Sequence, residues 1–208
     1  MAIKILRRGT KRINIYLSCF YLSAGIGGII NIIYANLFQG VLVYILHFIT
    51  YYILCFAMVF LLIFVLILLK PVNKFKFKTQ MLILVIFGLL LLGLLTFPDG
   101  ITINQSTNWK PSWSWSFFIY STVICSAVVI LPTSYYSLRI YMKFDNRFLK
   151  KKWKFFQIGM YAYFFLFYGT SLSNTLNTDL FRLIWSLVSL PTLLASYLLY
   201  YGVGKQLE

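Results

Sequence analysis

His47 is the only histidine in the chain, and Tyr51 follows it four residues later, inside a long apolar run. On a helix that spacing puts both side chains on one face. Asn31, Tyr34 and Asn36 stand late in the preceding apolar run, and Thr50 and Tyr52 flank Tyr51. Polar groups within apolar runs are costly unless they pair or line a cavity, so such positions mark binding sites and pathways. Further along, Trp113 and Trp115 close a polar stretch, and Asp179 and Arg182 stand three residues apart, close enough to pair across a helical turn. Asn31, His47, Tyr51, Trp113 and Arg182 are therefore the candidate ligand-binding residues, lining a polar cleft roofed by the 98–114 loop. The competing expectation is that Asn and Tyr sit at the membrane interface while His47 hydrogen-bonds between helices.

The chemistry this set can do is recognition. No Asp or Glu falls in the middle of any apolar run, whereas proton-coupled carriers use such groups as relays. One histidine cannot supply a bis-histidine haem or a catalytic metal site, and a hydrolase would have only His47 as its base. The reading is a protein that is not an enzyme, with no catalytic residue, no metal and no cofactor. Cys19, Cys55 and Cys125 all fall in apolar runs without CxxC spacing and read as small packed hydrophobes.

Basic residues define a second set. Lys74-Phe75-Lys76-Phe77-Lys78 and Lys150-Lys151-Lys152-Trp153-Lys154 interleave cations with aromatic rings. Such segments anchor a helix end at the headgroups, or recognise anionic lipid at roughly 1 kcal/mol per basic residue. Lys74, Lys76, Lys78, Lys150, Lys151, Lys152 and Lys154 are thus the candidate anionic-lipid contacts, or a docking face for a cytoplasmic or membrane protein partner. The formal charge of +15 does not point to nucleic acid, because no basic folded surface remains once these segments are assigned to the membrane.

Those residues are positioned by apolar runs. Of 208 residues, 61% are hydrophobic and only 11% charged, against about 45–50% and about 25% in globular chains. An apolar run of roughly 20 residues crosses the bilayer core, and a span must satisfy its backbone internally, which leaves helices. The expected fold is an all-α bundle in one membrane domain, with helices at about 13–37, 41–69, 81–97, 115–141, 153–172 and 180–201. Pro98-Asp99-Gly100 supplies a turn after the third. The first run is too long for a signal peptide and lacks a cleavage site, so it reads as a retained helix. Ser23, Ala24, Gly25, Gly27 and Gly28 form a small-residue patch within it, suited to close helix packing.

The basic residues also orient the bundle. The amino-terminal arm holds five, segment 70–79 four, segment 139–154 seven and the tail one. The intervening segments hold none at 37–41, one at 98–114 and one, Arg182, at the last turn. The positive-inside rule then puts six spans in the cell membrane, as a multi-pass chain with both termini cytoplasmic. Asn104-Gln105-Ser106, a glycosylation acceptor pattern, falls on the outer side.

Three stretches carry a resemblance: Pro98-Asp99-Gly100-Ile101 with the Trp109 to Trp115 run, Lys151 to Phe156 followed by Ile158-Gly159, and Leu199 to Val203. Together they resemble the six-to-seven-helix membrane sensor modules at the amino terminus of some archaeal and bacterial histidine kinases. The resemblance implies a sensor whose signal passes to a partner, since no output domain follows within these 208 residues. The expected function is a receptor-like module binding a small or lipid-like ligand from the outer side, among membrane lipids. The alternatives are a small transporter or channel subunit, with Gly25–Gly28 and Pro132 marking broken helices of an inverted repeat, and a structural subunit of a membrane complex.

Overall fold

A computed structural model describes residues 1–7, 9, 11–38, 40–70 and 75–204. Of the basic residues used above, Lys74, Arg8 in the amino-terminal arm and Lys205 in the tail lie outside the described residues. The chain is about 84% helical.

Among the described residues, five helices are long and apolar enough to cross a membrane: 12–34, 40–69, 77–96, 115–143 and 179–203. A short helix, α1 (Ala2–Leu6), precedes them. It folds back on α2 (Arg12–Tyr34), with Ile5 fully buried and the Ser18 hydroxyl donating to the Ala2 carbonyl at 3.2 Å. α3 (Gly40–Leu69) is the axis of the bundle, and Ala57 to Val59 and Leu61 to Leu66 are buried on every face. That explains its unbroken apolar sequence, because protein covers what lipid would otherwise cover. α4 (Phe77–Leu92) starts four residues before the expected position and tightens into a 3-10 turn, Gly93–Thr96.

The polar stretch after Pro98 is more ordered than its composition implies. Asp99 takes a left-handed φ of 55° in the turn. β1 (Ile101–Thr102) and β2 (Ser112–Trp113) then pair antiparallel, Ile101 opposite Trp113. Asn104 caps the turn at the hairpin's tip, its side chain accepting from the Thr107 amide at 3.1 Å.

α5 (Trp115–Ile124) and α6 (Leu131–Lys143) are one continuous helix joined by a wide π turn, Cys125–Ile130. The π turn precedes Pro132, whose missing N–H and ring would clash with regular α geometry. α7 (Arg147–Leu176) runs 30 residues, about 45 Å at 1.5 Å per residue. It extends past the expected 153–172 at both ends. Asn146 caps its start, accepting from Phe148 N at 2.7 Å, so the lysine run occupies its first turns instead of a loop. Asn177, at φ 50°, ends it.

α7 is not among the five spans counted by length and apolarity, so the structure yields five such helices where six were expected. The reason lies in its composition. Gln157, Tyr163, Tyr168 and Ser171 interrupt the apolar run, and several serve neighbouring helices. The Tyr163 hydroxyl donates to the Leu54 carbonyl at 2.9 Å, Tyr168 shares a 2.6 Å bond with Ser126, and Gln157 donates to Ser137 at 3.2 Å. α8 (Asp179–Leu199) runs through Pro191 into a π turn, Tyr200–Gly204.

The basic segments gather at one end of the bundle. There Leu68 and Leu69, Lys143, Lys152, Trp153 and Gly202 line one pocket of about 320 Å³, and Arg12 lies over the Phe77 ring at 5.4 Å. The hairpin caps the opposite end.

Candidate functional site

Four helices and the hairpin bring the chemistry-bearing residues together at the hairpin end. α2 ends at Tyr34, and about two helical turns into α3 stands His47, with its ring edge-on to Tyr34 at 5.4 Å between centroids. His47 Nδ1 meets the Tyr34 hydroxyl at 2.9 Å, and Trp113 Nε1 reaches His47 Nε2 at 3.0 Å. An indole N–H can only donate. Nε2 is therefore the acceptor, and Nδ1 carries the ring proton and donates it to the tyrosine oxygen. Both nitrogens of this buried imidazole, 3% exposed, are spent on protein partners. His47 joins α2, α3 and the hairpin.

Tyr51, one turn deeper, packs edge-on against Trp113 at 4.7 Å and near-parallel to Phe167 of α7 at 6.3 Å. Register explains the contact with Trp113. The pairing of Ile101 with Trp113 turns the indole inward over α3, and Ser114 N donates to Gly100 O at 3.0 Å behind it.

Arg182 holds the hairpin from the other side, donating through Nη2 to the Pro111 carbonyl at 2.6 Å and to Asn177 Oδ1 at 2.8 Å. Asp179 does not pair with Arg182. It meets Lys110 at 3.5 Å across two exposed side chains, a contact worth little in water. It is the only ion pair among the described residues.

Beneath this assembly lies a cavity of about 470 Å³ between α2, α3, α7 and α8. Tyr51, Leu54 and Cys55 form its back wall on α3. α2 contributes Phe20 and Tyr21 at the deep end, Ala24, Gly25 and Gly28 midway, and Asn31 at the shallow end. α7 contributes Tyr163, Leu166, Phe167, Thr170 and Ser171, and α8 contributes Thr192. Of the five expected ligand-binding residues, Asn31 and Tyr51 line this cavity. His47 and Trp113 pack behind Tyr51, and Arg182 braces the hairpin.

The small-residue patch divides. A Cβ on Gly27 would meet Leu54 at 2.7 Å, so this glycine permits the close approach of α2 to α3. Around Gly25 and Gly28 a Cβ would meet nothing within 4 Å. These two face the cavity.

Ser171 and Thr192 were not legible as site residues in the sequence. The signal available was the polar pair Thr170-Ser171 interrupting the apolar run of α7. Ser171 is fully buried, and its hydroxyl has no hydrogen-bond partner among the described residues.

The basic residues at the other end sit against rings. Lys152 Nζ lies 3.6 Å from the Tyr201 centroid and Lys154 5.7 Å from Tyr141. Lys76 precedes α4 at its cap position, and Lys76, Lys78 and Lys151 are exposed, with Lys150 half-buried. Such placement keeps the ammonium groups at a water-facing rim while the stems cover apolar surface. Among the described residues no cluster of three His, Cys, Asp or Glu side chains could hold a metal ion.

No protein-family model, curated protein or solved structure matches this chain.

Proposed function

We propose that this chain is a non-catalytic, receptor-like membrane module with six spans and both termini cytoplasmic, whose ligand occupies the cavity between α2, α3, α7 and α8. The cavity carries this reading. At about 470 Å³ it falls within the roughly 300–1,000 Å³ of small-molecule sites, and it shares their pattern of apolar walls with a few placed polar groups. Asn31 and Tyr51 touch the ligand, while His47, Trp113 and Arg182 fix the wall behind it.

The topology has its own support. α7 begins beside Lys143 at the basic end and finishes at Asn177 beside Arg182 at the hairpin end. It therefore travels the length of the bundle, as a sixth span would. The positive-inside rule then puts the basic end in the cytoplasm and the hairpin outside. The exposed lysines of the cytoplasmic rim contact anionic lipid or a partner protein.

The transporter alternative relied on a broken first span. α2 is continuous through Gly25–Gly28, and the helix carrying Pro132 is continuous from 115 to 143. The receptor reading needs only a small shift of α8 relative to α2, of about 1–2 Å, when the cavity fills.

Spin labels at the exposed positions Ile15 and Tyr197, near the cytoplasmic ends of α2 and α8, test it. Protein purified with its native lipids is expected to differ from stripped protein in the inter-label distance distribution. Gly28→Leu, which fills the cavity, is expected to abolish that difference. Identical distributions in all three preparations would sink the receptor reading.

A further inference from the structure

We infer that the occupant of this cavity is a hydrocarbon chain bearing one hydrogen-bonding head group, taken sideways from the bilayer through the gap between α2 and α8. The inference rests on the cavity being the ligand site and adds what enters it and by which route.

The route follows from how the walls are built. α2 packs chiefly on α3, and α8 chiefly on α7. At the deep end the gap between α2 and α8 is closed by Tyr21 and Tyr200, whose rings meet edge-on at 6.5 Å. Above that contact the α2 wall is Gly25 and Gly28, with open space where side chains would stand, and Gly25 and Asn31 are exposed. Beside the gap on α2, Ile29 and Ile32 are exposed large hydrophobes, and α8 exposes Leu187 and Leu190 elsewhere on its surface. A molecule reaching this gap comes from the apolar phase.

The shape suits an extended occupant. From Phe20 to Asn31 the cavity follows α2 for about 16 Å at 1.5 Å per residue. A volume of about 470 Å³ along that length is of small-molecule size, and an extended hydrocarbon chain fits it.

Polarity sets the chain's direction. Phe20, Tyr21 and Tyr163 line the deep end, with the Tyr163 hydroxyl already committed to the Leu54 carbonyl. Asn31, Thr170 and Ser171 gather at the shallow end, near the last turns of α2 and α7. Leaving a buried hydroxyl unpaired is costly, and the buried Ser171 hydroxyl has no partner among the described residues. The head group of the chain supplies one.

The test uses the full chain reconstituted in phosphatidylcholine vesicles containing a trace of phosphatidylcholine with a diazirine midway along one acyl chain. After irradiation, adducts are mapped by mass spectrometry. The expected result is labelling of Tyr163 and Leu166 that is lost in Gly25→Leu/Gly28→Leu, while labelling of the lipid-facing Ile32 and Leu190 is unchanged. The unchanged sites show that the variant is folded.

A second variant removes the hydroxyl without filling space. In Ser171→Ala, competition by dodecanol against the labelled lipid is expected to fall about fivefold, the loss of one hydrogen bond, with competition by dodecane unaltered. Equal labelling of Tyr163 in wild type and the filled variant overturns the inference. A water-soluble molecule found in the cavity without lipid adducts also overturns it, and leaves the receptor reading standing. Lipid adducts without any change in the Ile15–Tyr197 distance do the reverse.

Discussion

At the scale of the residue, His47 shows how one side chain can be chemically conspicuous and structurally committed. Its two nitrogens join the Tyr34 hydroxyl to the Trp113 indole in a chain of hydrogen bonds, 2.9 and 3.0 Å long, inside a packed aromatic cluster. Replacing it by alanine leaves a buried indole N–H and a tyrosine hydroxyl without their partner. Such unpaired groups cost about 1–3 kcal/mol, so His47→Ala is expected to lower stability by that amount in detergent, measured by chemical denaturation. In a Trp113→Phe background the same substitution should cost less, because the indole donor is already gone. Equal costs in the two backgrounds would show that the Trp113–His47 bond contributes nothing to stability. The spacing of His47 and Tyr51 made their shared region legible in the sequence. It could not reveal that the histidine's lone pair would be claimed by a tryptophan 66 positions away.

At the scale of the element, the same helix turns small residues to opposite uses. Gly27 lets α2 settle against Leu54 and the Thr50 carbonyl of α3, whereas Gly25 and Gly28 border empty space. Gly27→Leu is therefore expected to destabilise the protein by about 1–3 kcal/mol through overpacking. Gly28→Leu should unfold at the same denaturant concentration as wild type. Equal losses for the two would contradict the division of this face.

The apolar runs of the sequence fall largely within the long helices, and the small-residue patch was visible as a packing surface. Which of its glycines would meet a neighbour depends on how α2 rotates about its axis. A helix apolar on nearly all sides carries no strong periodic signal for that rotation. The ends of α7 were hidden for a different reason. Lys150 to Lys154 read as a loop by charge, yet a helix starting at the Asn146 cap can carry lysines through its first turns where they reach water. The hairpin's two-residue strands are too short to produce an alternating pattern.

At the scale of the whole molecule, the number of spans turns on α7. It spans about 45 Å and links the basic end to the hairpin end, but Tyr163, Tyr168 and Gln157 dilute its apolar character. Those polar groups bond to α3, to α6 and to the π turn before α6, so they do not face lipid unpaired. A helix that spends its polar groups on neighbours can cross a bilayer with a less apolar sequence than one bathed in lipid.

Single cysteines at the exposed positions Lys78, Asn108, Lys151 and Thr178, in a background lacking the three native cysteines, would locate the ends. In intact cells a membrane-impermeant thiol reagent is expected to label Asn108→Cys and Thr178→Cys at once, and Lys78→Cys and Lys151→Cys only after permeabilisation. Labelling of Lys151→Cys and Thr178→Cys from the same side would remove α7 from the spans. The carboxyl-terminal end of α8 would then fall on the opposite face, and with it the route by which a filled cavity could signal inward.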